Sequence, residues 1–157
     1  LGLAFAVFSL LADQVHKWWM LNVYDMEARG QVTVAPFLDL VMIWNPGISY
    51  GLFPQGSLTG RMILIGIAIA AVVGLSIWLS QVHTKIGAAG IGFIIGGAIG
   101  NAIDRALYGA VADFFSLHAY GFHWYVFNIA DLAIVAGVIG LLYESLIDSH
   151  KKVSKPS

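Results

Sequence analysis

The chain has 157 residues, of which 59% are hydrophobic and 11% charged, against about a quarter charged in an ordinary soluble domain, so the composition excludes the soluble classes and points to an integral membrane protein. Eight Lys and Arg stand against nine Asp and Glu for a net charge of −1, which leaves no basic surface to follow a nucleic-acid backbone. Cysteine is absent, so disulfides, thiolate metal sites and a cysteine nucleophile are excluded, and any chemistry must use oxygen or nitrogen groups.

Taken in chain order, a single membrane domain over 1–157 is expected, with no room for a second, soluble one. Span one covers about 1–20, LGLAFAVFSLLADQVHKWWM, and closes on the Trp18–Trp19 pair suited to a membrane interface. The first residue is Leu, so a short stretch is expected to precede it; no basic leader or small-residue cleavage site supports a cleaved signal peptide. Residues 22–60 gain charge, proline and glycine and read as extramembrane, with β-prone QVTVAPFLDLVMIW and a turn at NPG, 45–47. Span two, 62–82, is free of charge and long enough to cross the hydrocarbon core. HTK at 83–85 permits only a tight turn, so span three, 86–103, pairs with it as a hairpin. Gly92, Gly96 and Gly100 in span three form a double GxxxG for close helix approach. Residues 104–125 read as a second extramembrane loop, and span four as 126–147, before a basic tail. Lys85, Lys151, Lys152 and Lys155 gather on one side and Arg29, Arg61 and Arg105 on the other, which puts both termini in the cytoplasm.

The polar residues within these apolar stretches carry the chemistry, because an ionisable group in a membrane usually faces the protein interior and serves a function. Asp13 and Lys17 end span one, Asp104 and Arg105 end span three, and Asp131 opens span four beside Asn128, all at one depth. Asp13 and Lys17 can pair at i, i+4. Asn101, Asp104 and Arg105 share a helix face, where Asp104 and Arg105 can clamp one another; alternatively Lys17 and Arg105 can hold a ligand's carboxylate or phosphate. Asp113 and Asp131 have no basic residue within four positions. They form either a carboxylate dyad that splits a peptide bond with water, one as acid and one as base, or two separate interface carboxylates. His118 and His123 read as interfacial histidines rather than metal ligands. No serine elbow is present, and IGGAIGN lacks a phosphate-loop lysine. From the residues alone, a small proton-coupled transporter or channel subunit relaying protons through Asp13, Asp113 and Asp131 is the alternative function.

Four stretches, in order, resemble the bacterial lipoprotein signal peptidases: ADQVHKWW, WNPGISYGLF, GGAIGNAIDRALYGAVADFF and FNIADLAIVAG. His16 in the first and Pro46 in the second depart from the pattern. The resemblance implies an all-α membrane fold of four transmembrane helices, with a small extracytoplasmic β-cradle, matched by 31–53, and a covering loop or periplasmic helix, matched by 114–125. It implies that Asp113 and Asp131 are the catalytic pair of an aspartyl endopeptidase, supported by Asp13, Lys17, Asn45, Gly47, Asn101, Asp104, Arg105 and Asn128, with neither metal nor cofactor. The implied reaction removes signal peptides from diacylglyceryl-modified prolipoproteins on the N-terminal side of the lipidated cysteine. The implied setting is the inner membrane, near its outer face, for a monomer that meets membrane lipid and globomycin-type inhibitors.

Overall fold

The computed structural model describes residues 1–47 and 57–153, apart from the side chains of residues 123 and 148–153. In chain order the elements are α1 (Gly2–Asn22), α2 (Met26–Arg29), β1 (Val32–Ala35), β2 (Leu38–Asn45), α3 (Leu58–Leu79), α4 (Lys85–Tyr108), β3 (Val111–Ala119), β4 (Phe122–His123) and α5 (Ile129–Val153). Three stretches, Leu58–Leu79, Lys85–Tyr108 and Ile129–Ile147, are long and apolar enough to cross a membrane. They answer to expected spans two, three and four. Helix α1 stands where span one was expected and has 21 residues, but it lies outside that set; it carries Asp13, Gln14, His16 and Lys17 near its far end.

Helix boundaries follow their caps. The Ser57 side chain accepts from the Gly60 N–H at 3.0 Å, so α3 begins before the expected Met62, and Thr84 caps α4 in the same way through Gly87. Helix α4 runs past the expected Ile103 to Tyr108, because Asp104 faces inward and does not end the helix. Gly109, at φ +83°, supplies the left-handed residue that stops it.

The strands form an antiparallel sheet in the order β1-β2-β3-β4. The β-prone reading of 31–53 is met by β1 and β2; ISYGLFPQG, 48–56, lies outside the described residues. The expected covering loop at 114–125 is instead largely β3 and β4. Tyr120 and Gly121 both have positive φ, which gives the two-residue turn that a tight hairpin requires. Met20 of α1, Met26 of α2 and Ala112 and Phe114 of β3 bury one another, so the sheet rests on the end of α1.

The helices pack inside out relative to a soluble bundle. Large apolar side chains such as Phe8, Leu11, Ile67, Val73, Ile77, Val135 and Ile139 point outward, a surface suited to lipid. Helix α4 is the central pillar and touches α1, α3 and α5. A Cβ at Gly92 would meet the Gly2 carbonyl and Phe5, one at Gly96 the Ser9 Oγ and the Ala6 carbonyl, and one at Gly97 the Ala130 carbonyl of α5. The double GxxxG thus lets α4 and α1 approach backbone to backbone.

Gly96→Ala is expected to lower stability by about 1–3 kcal/mol, because the Ala6 backbone cannot yield, whereas Gly66→Ala, in open space on α3, is expected to be neutral or slightly stabilising. Thermal unfolding of both variants in detergent measures the difference.

Candidate active site

Seven polar or charged residues are buried among the described ones, and five of them, Asp13, Lys17, Asp104, Asp113 and Asn128, none more than 3% exposed, gather at the end of the bundle beside the sheet. Burying so many polar groups is tolerable only if each finds partners, and the partners define two linked clusters.

The first is built around Lys17. Its ammonium lies 2.8 Å from Asp13 Oδ2 and 2.7 Å from Asp104 Oδ2. The expected Asp13–Lys17 pair therefore forms, but it also recruits Asp104. The expected Asp104–Arg105 clamp is corrected: consecutive helix residues diverge by about 100° around the axis, and Asp104 turns to α1 instead. Gln14 Nε2 donates to Asp13 Oδ2 and Asp104 Oδ1, each at 3.1 Å. Backbone N–H groups complete both carboxylates: the remaining oxygen of Asp13, Oδ1, accepts from Ala130 at 2.9 Å, and Asp104 Oδ2 accepts from Ala112 at 3.1 Å in addition to Lys17. One buried cation with its two carboxylates thereby fastens α1 and α4 to the start of α5 and to β3.

The second cluster holds Asp113 and Asp131. Asn128 precedes α5, and its Oδ1 accepts the Asp131 N–H at 3.0 Å while Asp131 Oδ2 accepts the Asn128 N–H at 3.2 Å. This is a reciprocal capping box; it fixes the Asp131 carboxylate at a helix N-terminus, where the dipole favours negative charge. Asn128 Nδ2 donates to Asp113 Oδ1 at 2.6 Å and to Asn101 Oδ1 at 3.1 Å, and Asn101 Nδ2 donates to Asp131 Oδ1 at 2.9 Å. Asp113 and Asp131 are thus joined through two asparagine amides. Lys17 reaches Asn101 Oδ1 at 3.4 Å, which links the clusters.

Asn45 Nδ2 donates to the other oxygen of Asp113 at 3.1 Å, and its presence there depends on a fault in the ladder. Leu40 pairs with Phe115 and Ile43 with Asp113, so β2 has two residues opposite one on β3. Without that bulge, Trp44 and not Asn45 would lie on the face of Asp113, because strand side chains alternate. Asn45 Oδ1 accepts the Gly47 N–H at 3.1 Å, closing the expected turn, and the Gly47 carbonyl accepts from Arg105 Nη2 at 3.2 Å. Arg105 Nη1 returns to the Asn101 carbonyl at 3.2 Å.

The two carboxyl groups differ. Asp113 is 2% exposed; burial first, and repulsion from Asp131 second, push it up to about 6, against the opposing hydrogen bonds from Asn128 and Asn45 and the charge of Lys17. Asp131 is only partly buried and opens on a cleft of about 210 Å³ shared with Asn45, Gly47, Arg105, Tyr125, Val126 and Ile134. All ten residues singled out in the sequence therefore join one hydrogen-bonded network. Away from it, Asp39 accepts from Thr33 and Gln31 and lies 3.0 Å from His118 Nε2, and Thr33 first among these holds its carboxyl below the usual range. Sequence reasoning missed Gln14, which stands three residues before Lys17 and so shares its helix face, and Tyr125 at the cleft. The N–H groups of Ala112 and Ala130 carry no signal in a sequence.

A family model described as signal peptidase (SPase) II matches residues 5–147, a range that contains every residue of this network. The lipoprotein signal peptidase of Nitrobacter hamburgensis is 53% identical over 150 residues, with 93% of this chain and 92% of that protein covered. That of Rhodopseudomonas palustris strain ATCC BAA-98 is 51% identical over 151 residues, covering 94% and 92%. Among solved structures, a bacterial membrane enzyme determined in meso at 2.3 Å superposes with a TM-score of 0.85 at 28% identity, over 99% of this chain and 93% of that one. Another, determined at 1.9 Å, gives 0.79 at 27% identity, over 92% of each.

Replacing the shared cation by an apolar side chain of similar length leaves two buried carboxylates unpaired. Lys17→Met is expected to cost about 3–5 kcal/mol, read as a large loss of thermal stability in detergent, whereas Lys85→Met, at the opposite end of α4, is expected to change little.

Proposed function

Because this chain belongs to the signal peptidase II family, we propose that it cleaves diacylglyceryl-modified prolipoproteins with Asp113 and Asp131 as its catalytic pair. Membership makes it a protease that removes signal peptides from lipoproteins, and the proton-coupled transporter is not favoured. The aspartyl chemistry, the lipidated substrate and the bond cut on the N-terminal side of the modified cysteine are our reading. The observation that carries it is the continuous chain Asp113–Asn128–Asn101–Asp131, with Asp131 open to the cleft.

In this reading the buried Asp113 carries the proton and Asp131 is the base. Water attacks the scissile carbonyl carbon and gives one proton to Asp131, while Asp113 protonates the carbonyl oxygen. The tetrahedral diol then collapses: Asp131 passes its proton to the nitrogen of the departing cysteine, the C–N bond breaks, and Asp113 recovers its own. Asn128 and Asn101 hold the two carboxyl groups in register, Asn45 steadies the acid, and Arg105 ties the 45–47 turn to α4. Asp13, Lys17 and Asp104 brace the helix ends that carry them. Tyr125, Val126 and Ile134 offer the apolar wall that a signal-peptide side chain needs.

The wider assignment is four spans, with α1 as the first, both termini cytoplasmic and the site near the outer face of the bacterial inner membrane. The protein acts as a monomer, needs no cofactor and takes globomycin-type inhibitors at the same cleft.

Asp113→Asn and Asp131→Asn are each expected to fold and to lose at least about a thousandfold in cleavage of a purified lipidated prolipoprotein, the scale on which a catalytic group acts; near-normal turnover in either would remove the pair. The pH profile gives a separate test. Asn45 holds the Asp113 value down, so Asn45→Ala raises it further, keeps the acid protonated to higher pH, and is expected to move the alkaline limb of kcat/KM upward.

A further inference from the structure

The turn at 45–47 has two sides. Asn45 and Gly47 face the cleft, whereas Pro46 faces a second cavity, of about 340 Å³, walled by Ser57, Leu58, Arg61, Tyr108 and Gly109. It lies where α3 begins and α4 ends. Among the described residues Arg61 is its only charged wall residue and no carboxylate pairs with its guanidinium. Its Nε is shut off from solvent with no acceptor, and its Nη1 lies 3.2 Å from the position of a Cβ on Gly109, so the cation is held against the wall of the cavity. A cation kept in this way calls for an anion. The first turn of α3 adds the positive end of its dipole.

The rim is of the opposite character. Leu58 is 66% exposed and Tyr108 56%, and Tyr108 packs against Trp44 at 5.3 Å, an aromatic pair of the kind that sits at a membrane interface. Below Leu58, α3 presents Met62, Ile69 and Val73 outward. A ligand that fits must be anionic where it meets Arg61 and apolar where it leaves along α3.

We propose that this cavity binds a membrane phospholipid, with its phosphate diester on Arg61 and the start of its acyl chains over Leu58 and Tyr108. The proposal rests on reading α3 and α4 as membrane spans and is independent of the roles given to Asp113 and Asp131. Because Pro46 separates the two cavities, the lipid would buttress the turn whose flanking residues hold Asp113 and Arg105.

The test uses the full chain, delipidated in an uncharged maltoside detergent, and follows native-mass-spectrometry adducts and melting temperature as ligand is added. Dioleoyl phosphatidylglycerol is expected to bind and raise the melting temperature, and dioleoylglycerol, with the same chains and no phosphate, is expected to do neither. Arg61→Gln is expected to weaken the phospholipid effect about tenfold, the scale of a lost charge-assisted hydrogen bond, and Arg61→Lys to keep part of it. Leu58→Glu, which sets a carboxylate at the mouth without removing Arg61, is expected to weaken it equally. Identical phospholipid binding by wild type and both Arg61→Gln and Leu58→Glu would overturn the proposal. So would an equal response to dioleoylglycerol, or an equal rise from millimolar inorganic phosphate alone, which would assign the site to a solution anion.

Discussion

The side-chain amide of Asn128 is the joint on which the polar end of this molecule depends. Its oxygen caps α5 through the Asp131 N–H, and its nitrogen donates to Asp113 on β3 and to Asn101 on α4. A primary amide has two N–H groups to give, and both are engaged, so the sheet, α4 and α5 meet at one group with no donor to spare. An aspartate at 128 could keep the cap but not the donors, and would add a third negative charge beside two carboxyl groups. The placing of the two carboxyl groups and fold stability are therefore not separable at this position.

Around that joint the bundle reverses the usual order of a protein interior. Lipid-facing surfaces gain nothing by burying leucine, so helix association rests on close packing and on polar contacts. Helix α4 supplies both along its length: glycines admit the backbones of α1 and α5 over most of it, and at its end Asn101 and Asp104 take over the contact. The change from glycine to polar contact falls at Gly100, where a Cβ would stand 2.6 Å from Asp13 Oδ2. Helix α3, which packs on α4, adds little to the polar end, and its outward residues are apolar.

Much of this was legible in the sequence because the signals are strong and local. Uncharged runs of span length, the glycine spacing and the depth shared by Asp13, Lys17, Asp104 and Asp131 all survive in the structure, and the ten residues chosen fall in one network. Where the reading departed from the structure, long-range geometry decided. The Asp104 partner could not be read because Lys17 is remote in sequence. Helix α4 outran its expected end because buried charges look the same in a sequence as charges that end a span. Residues 114–125 looked like a loop because aromatic and polar residues are mixed there, and only pairing with β2 reveals the strand. Backbone donors such as Ala130 N–H are invisible in residue identity.

The bulge in β2 has a consequence for how this chain can vary. It works as a phase shift: the residues before it keep one parity with β3 and those after it the other, so 41–42 hold one residue more than the ladder needs. Substitution there alters a side chain, whereas loss of either residue closes the bulge: the one that remains faces Phe114, and Ile43 stays against Asp113 and Asn45 against Val111. Related chains are thus free to be one residue shorter across this short stretch with the amide of Asn45 still on the face of Asp113, and an alignment gap is best absorbed there.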